Sequence, residues 1–181
     1  DPAVWQVVPP AAEAADWYER QIAQAPAAAR DAVAAASALA LRARVDTELS
    51  AVLLLIDPDA ELYAMLAIAA LDGVPAPDSA EGAVGIAEAL VRSPWPAEPL
   101  AFDFGAVTGW RMTLLDEAGA EGDAQVALPQ TVSTVYVADA RRRCVVVTLS
   151  SLLPLAAAVV QTHAERLIAS FDIAEGATPG A

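Results

Sequence analysis

Three kinds of apolar patterning run along the chain, and each predicts a different element. Residues 51–56 and 62–71 are apolar at nearly every position, the pattern of segments buried on both sides. Two β-rich runs, 131–137 and 144–149, flank Ala138-Asp139-Ala140-Arg141-Arg142 and predict a hairpin. Elsewhere the spacing is helical. Residues 16–24 read as a short helix, and Pro26 suits the first turn of an alanine-rich helix reaching about Arg44, with Val33, Leu41 and Val45 as a thin apolar face. Residues 79–91 form a third helix with Ala83, Ile86 and Leu90 inward. After Pro154 a fourth places Ala156, Val159, Val160, Ala164, Leu167 and Phe171 on one side, opposite Glu165 and Arg166.

Proline and glycine punctuate these elements. Pro2, Pro9 and Pro10 keep residues 1–10 extended, with Trp5 as an anchor for this arm. Residues 74–78 form a proline-rich connector, and Ser93-Pro94-Trp95-Pro96 ends the third helix. Gly105 and Gly109 mark a turn or bulge between strands at 100–104 and 110–115. The stretch between 51–56 and 62–71 admits two readings. Asp57 as cap, Pro58 in a first turn and Gly73 as stop suit a helix over 57–72; a proline- and aspartate-rich turn between two buried strands suits a hairpin. These signals make one domain over 11–173, with a tail at 174–181.

Composition sharpens this picture. The 56% apolar share overstates greasiness, because 45 of the 181 residues are alanine. The uncharged stretch 144–164 is long enough to span a bilayer, but Ser150, Ser151 and Pro154 break it into strand, turn and helix, so no membrane span is expected. There are 24 acidic residues against 10 basic ones, all arginine, for a net charge of −14. Nucleic acid is therefore an unsuitable partner, since phosphate binding needs clustered cations and only Arg141, Arg142 and Arg143 cluster. The absence of lysine and asparagine, with abundant alanine, arginine, glycine and proline, points to a GC-rich bacterial genome. The first residues lack the basic start and apolar segment of a signal peptide, so a cytoplasmic setting is favoured; secretion after loss of a leader is the other reading.

The order of two helices, hairpin, helix, two glycine-flanked strands, long hairpin and closing helix ending in Ile168-Ala169-Ser170-Phe171 resembles the PsbP-like fold. That fold is shared by the extrinsic photosystem II subunit PsbP and a Ran-binding nuclear-transport factor. The likeness is strongest over 100–173, where Phe104-Gly105 precedes Arg111, and it looks like a remote bacterial branch. The strand runs and their short connections predict an α+β domain with an antiparallel sheet of five or six strands and helices on its faces; the resemblance implies an α/β/α sandwich and supports the hairpin reading of 51–71. It carries over no functional residues. Its members mostly bind proteins.

Candidate chemistry is thin. His163, the only histidine, lies on or beside the apolar stripe of the last helix and reads as a core-boundary residue; pairing it with Ser150 or Ser151 would make a hydrolase without a nucleophile elbow. One histidine and one cysteine cannot complete a zinc site, and Cys144, within an apolar run, reads as a small core hydrophobe. Asp57, Asp59 and Glu61 alternate like the start of a calcium loop but lack its glycine and distal glutamate, so a solvated turn is expected there. No phosphate or dinucleotide fingerprint is present, and no cofactor is expected. Trp17 and Trp110 read as core.

The expectation is a non-enzymatic protein-interaction module. Its candidate contact residues are Trp95, held between two prolines, and the acidic loop residues Asp116, Glu117, Glu121 and Asp123. The alternative is a small-molecule carrier or small enzyme using a pocket between sheet and helices.

Overall fold

Unbroken apolar runs become strands where both of their faces find cover, and the middle of this sheet provides it. The computed structural model describes residues 4–46, 49–71, 73–116, 130–140 and 142–171. Seven strands form one antiparallel sheet: β1 (Trp5–Val7), β2 (Ala51–Asp57), β3 (Leu62–Leu71), β4 (Leu100–Asp103), β5 (Val107–Leu115), β6 (Val132–Ala140) and β7 (Arg143–Leu152). Four helices accompany it: α1 (Ala14–Gln24), α2 (Arg30–Asp46), α3 (Ala80–Leu90) and α4 (Pro154–Ala169). The strand order is β1-β2-β3-β7-β6-β5-β4. Two meanders thus meet at β3 and β7. After β3, α3 carries the chain to the far edge at β4, and β5, β6 and β7 fold back to the middle.

The hairpin reading of 51–71 holds. Ala51 pairs with Ile68 and Asp57 with Leu62, and the Asp57 carboxylate accepts the Ala60 N–H at 3.2 Å, so it caps a turn instead of a helix. Leu53 and Leu55 face one helix layer while Val52 and Leu54 face the other, which explains a run with no polar alternation.

Seven strands replace the five or six expected. The additional strand is β1, inside the proline-bounded arm: Trp5, Gln6 and Val7 pair with Leu55, Leu54 and Leu53. Trp5 is buried, and its indole N–H donates to the His163 carbonyl at 3.4 Å. Two other boundaries move. Gly109 lies inside β5, where a Cβ would collide with the Val137 carbonyl and stand 2.8 Å from Ala138 Cα, so glycine here permits strand pairing and makes no turn. Gly105, with φ +82°, makes the turn. β7 continues through Ser150 and Ser151, which together oppose the single Ser133 in a bulge between the Val132–Leu152 and Thr134–Leu149 pairs.

One sheet face packs on α4, through Ala157, Val160, Ala164 and Ile168 against Tyr136, Val147 and Leu149. The opposite face carries two separate clusters. α1 and α2 cover Val52 and Leu54 with Trp17 and Ala40, while α3 covers Met112, Val135 and Val146 with Ala83 and Ala87. Helix faces differ from the pattern in three places. Alanines Ala83 and Ala87 meet the sheet while Leu90 is exposed; Val33, Ser37 and Ala40 are the buried line of α2 while Val45 is exposed; and Val159 lies on the outside of α4. On α3 the small side chains face inward and the larger Leu90 stands at the rim.

Candidate functional site

The two helix layers of the second face cover different strands, and what lies between them is the middle of the sheet. α2 packs over β2 and β3, α3 over β5 and β6. β7, central between β3 and β6, changes chemistry along its length accordingly. Cys144 and Val146 are buried under α3 and the incoming connector, whose Val74 carbonyl accepts the Cys144 N–H at 3.2 Å. Thr148 and Ser150, the next residues on that face, lie open in a groove of about 740 Å³. Its volume falls within the roughly 300–1,000 Å³ of small-molecule sites.

One wall is the α2 line Ala32, Ala35, Ala36 and Leu39, spaced to lie on a single helix face; the other is Leu90 and Val91 at the end of α3. Leu39 and Leu90 are 58% and 55% exposed at the rims. The floor is Met65 with a group of hydroxyls, Ser133, Thr148, Ser150 and Ser151. The bulge gathers them. Ser150 Oγ accepts the Met65 N–H at 3.0 Å, taking the place of a backbone partner just past the end of the β3–β7 ladder. Ser133 Oγ donates to Asp116 Oδ1 at 2.7 Å and lies 3.1 Å from Ser151 Oγ. Asp116 Oδ2 is buried without a partner among the described residues.

Among the described residues the groove brings no serine together with a histidine. His163 lies on α4, across the sheet from Ser150 and Ser151, so the serine–histidine pairing does not occur. On the α4 side, Arg111 and Glu165 form an ion pair at 2.6 Å, and Gln161 donates to the same carboxylate at 3.0 Å. Beside them the Tyr136 hydroxyl is fully buried without a partner among the described residues. Burial, then the nearby Glu165 charge, pushes this phenol well above its ordinary range. Tyr136 and Phe102 meet edge to face at 5.9 Å, so this face is filled core.

Another cavity, of about 460 Å³, lies at the other side of α3, where Asp78, Asp103 and Asp139 surround Trp110 and Thr108. Two of these carboxylates already hold turns: Asp103 accepts the Gly105 N–H at 2.8 Å and Asp139 the Arg142 N–H at 2.7 Å. Among the described residues no group of three or more histidine, cysteine or acidic side chains is placed to hold a metal. No helix among them is long and apolar enough to cross a membrane.

The contact residues suggested by sequence divide. Trp95 is 67% exposed on the α3–β4 connector. Asp116 is partly buried and committed to Ser133, so it is not a free surface charge. Glu117, Glu121 and Asp123 lie outside the described residues. Sequence reasoning missed the groove, although a signal existed: along one face of β7 the side chains turn from Cys144 and Val146 to Thr148 and Ser150. The chain matches no protein-family model and no curated protein.

Proposed function

We propose that the protein is a non-enzymatic binding domain that holds a small molecule in the groove between α2 and α3. The carrying observation is the uncovered half of β7, where a sheet otherwise clothed on this face presents hydroxyls between two apolar walls. Such a groove offers desolvation for an apolar body and a few fixed polar groups for orientation. Binding without chemistry is supported by the content of the groove, whose serines face no histidine and whose described lining holds no charged side chain, Asp116 lying behind Ser133. The PsbP-like resemblance supports binding over catalysis as well.

An uncharged naphthylamine dye, fluorescent when desolvated, tests this reading. It should bind the wild type and fail to bind Ala35→Trp, which fills the groove from an exposed helix position while far-UV circular dichroism stays unchanged. Equal dye binding by both proteins would overturn it.

A second reading, a protein-interaction module, is favoured by the exposure of Trp95 between two prolines. A rigidly presented aromatic is a usual anchor of such contacts.

A further inference from the structure

Resting on the groove reading, we infer that its ligand is an uncharged amphiphile: an aliphatic body carrying a hydroxyl or ester oxygen that accepts a hydrogen bond from Thr148 and Ser150. Charge selects the class. In a chain with 34 formally charged side chains, not one of the described residues lining this groove is charged. An ion brought there would lose its water and find no counter-charge in the described lining, a cost that neutral molecules avoid.

Acidic groups lie near the lining on two sides. A further cavity of about 440 Å³ shares Ala32 and Tyr63 with the groove and ends on Asp59 and Glu61. At the other side Asp116 lies behind Ser133. Both repel an anion, so an ionised carboxylate or phosphate is the ligand least suited to the site.

Hydrogen bonding selects the functional group. Ser150 Oγ already accepts from the Met65 N–H, which leaves its own proton to give. Thr148, opposite Ala67 on β3, has a hydroxyl engaged by no described residue. Both are thus donors in search of an acceptor, and an ester or hydroxyl oxygen is a neutral one. The walls ask only for aliphatic surface. Their alanines leave room for a chain, and Leu39 and Leu90 offer exposed aliphatic surface at the two rims.

The test is displacement of the naphthylamine dye from the intact chain by decanoyl glycerol, decanol and ionised decanoate at about pH 8, well above the carboxylate range. Decanoyl glycerol and decanol should displace it at least tenfold better than decanoate. Thr148→Val, close in shape and with no partner to lose among the described residues, should weaken decanol by about three- to tenfold, the worth of one hydrogen bond. The same variant should leave the dye's own affinity unchanged. Decanoate binding as well as decanol, or Thr148→Val without effect while Ala35→Trp still abolishes binding, would overturn the ligand class and leave the groove standing. Binding of dye and amphiphiles that ignores Ala35→Trp would overturn the groove and this inference together.

Discussion

Ser37 shows how a single hydroxyl can work against a fold. It is fully buried on the inner line of α2, and its Oγ has no partner among the described residues. An unmatched buried hydroxyl costs on the order of 1–3 kcal/mol, and alanine is also the better helix former. Ser37→Ala should therefore raise stability by about 1 kcal/mol, seen as a higher urea midpoint at unchanged slope. A lower midpoint would overturn this. Gly109 is the opposite case, since a Cβ there meets the backbone of β6 and cannot be accommodated by a side-chain rotation. Gly109→Ala should cost at least about 1–3 kcal/mol, as overpacking does, by prying β5 from β6.

Tyr136 extends the residue scale to pH. Its phenol is held neutral by burial and by Glu165, so its folded pKa lies above the unfolded value of about 10. Below about pH 10 both states are protonated and its contribution is fully present. As pH rises past that point the unfolded chain releases a proton that the folded chain keeps, and stability falls by about 1.4 kcal/mol per pH unit. Tyr136→Phe should remove that slope. Urea midpoints measured between about pH 9 and 11 check it: parallel curves for the two proteins would show that the phenol titrates normally when folded. Cys144, raised by burial and by Asp139, adds an earlier loss of the same sign.

At the scale of elements, α3 depends on its start. Ser79 Oγ accepts the Gly82 N–H at 3.3 Å, a cap whose removal in Ser79→Ala should cost about 1 kcal/mol, read from the urea midpoint. Thermal melting of an unchanged Tm would argue that the first turn is held by packing alone. This helix was legible in sequence because its helical spacing and the proline-rich stop after it agreed, and the β6–β7 hairpin because β-branched residues flank a short polar turn. Residues 51–71 were ambiguous for a physical reason: strands covered on both faces lose the alternation that identifies them, leaving only the turn chemistry of Asp57 to decide. β1 stayed hidden because three residues carry no period at all, and its pairing is fixed by β2, far along the chain. The groove was hidden for the same kind of reason. Thr148 and Ser150 read as the fading end of a strand until the topology places β7 in the centre of the sheet, where hydroxyls on an uncovered face become the floor of a site.

At the scale of the whole molecule, the charge of −14 separates the two binding readings through their response to salt. A groove whose described lining is uncharged should hold a neutral amphiphile with an affinity that hardly changes as ionic strength rises. Contact with a basic protein surface is different, because the excess of acidic side chains attracts it over the Debye length. That length shrinks from about 30 Å at 0.01 M to about 8 Å at physiological ionic strength. Association steered by charge should slow markedly over this range while dissociation changes little. Trp95, exposed and framed by prolines, is the residue on which such a contact would close, so Trp95→Ala should speed dissociation and leave the association rate and its salt dependence in place. The measurement is binding kinetics at several salt concentrations, of decanol to the wild type and of a basic protein such as cytochrome c or a histone to the wild type and Trp95→Ala. Salt-independent decanol binding with no specific basic-protein complex supports the groove as the working site. A saturable, salt-steered complex that weakens with Trp95→Ala, in a protein that ignores decanol, would move the function to the surface around Trp95.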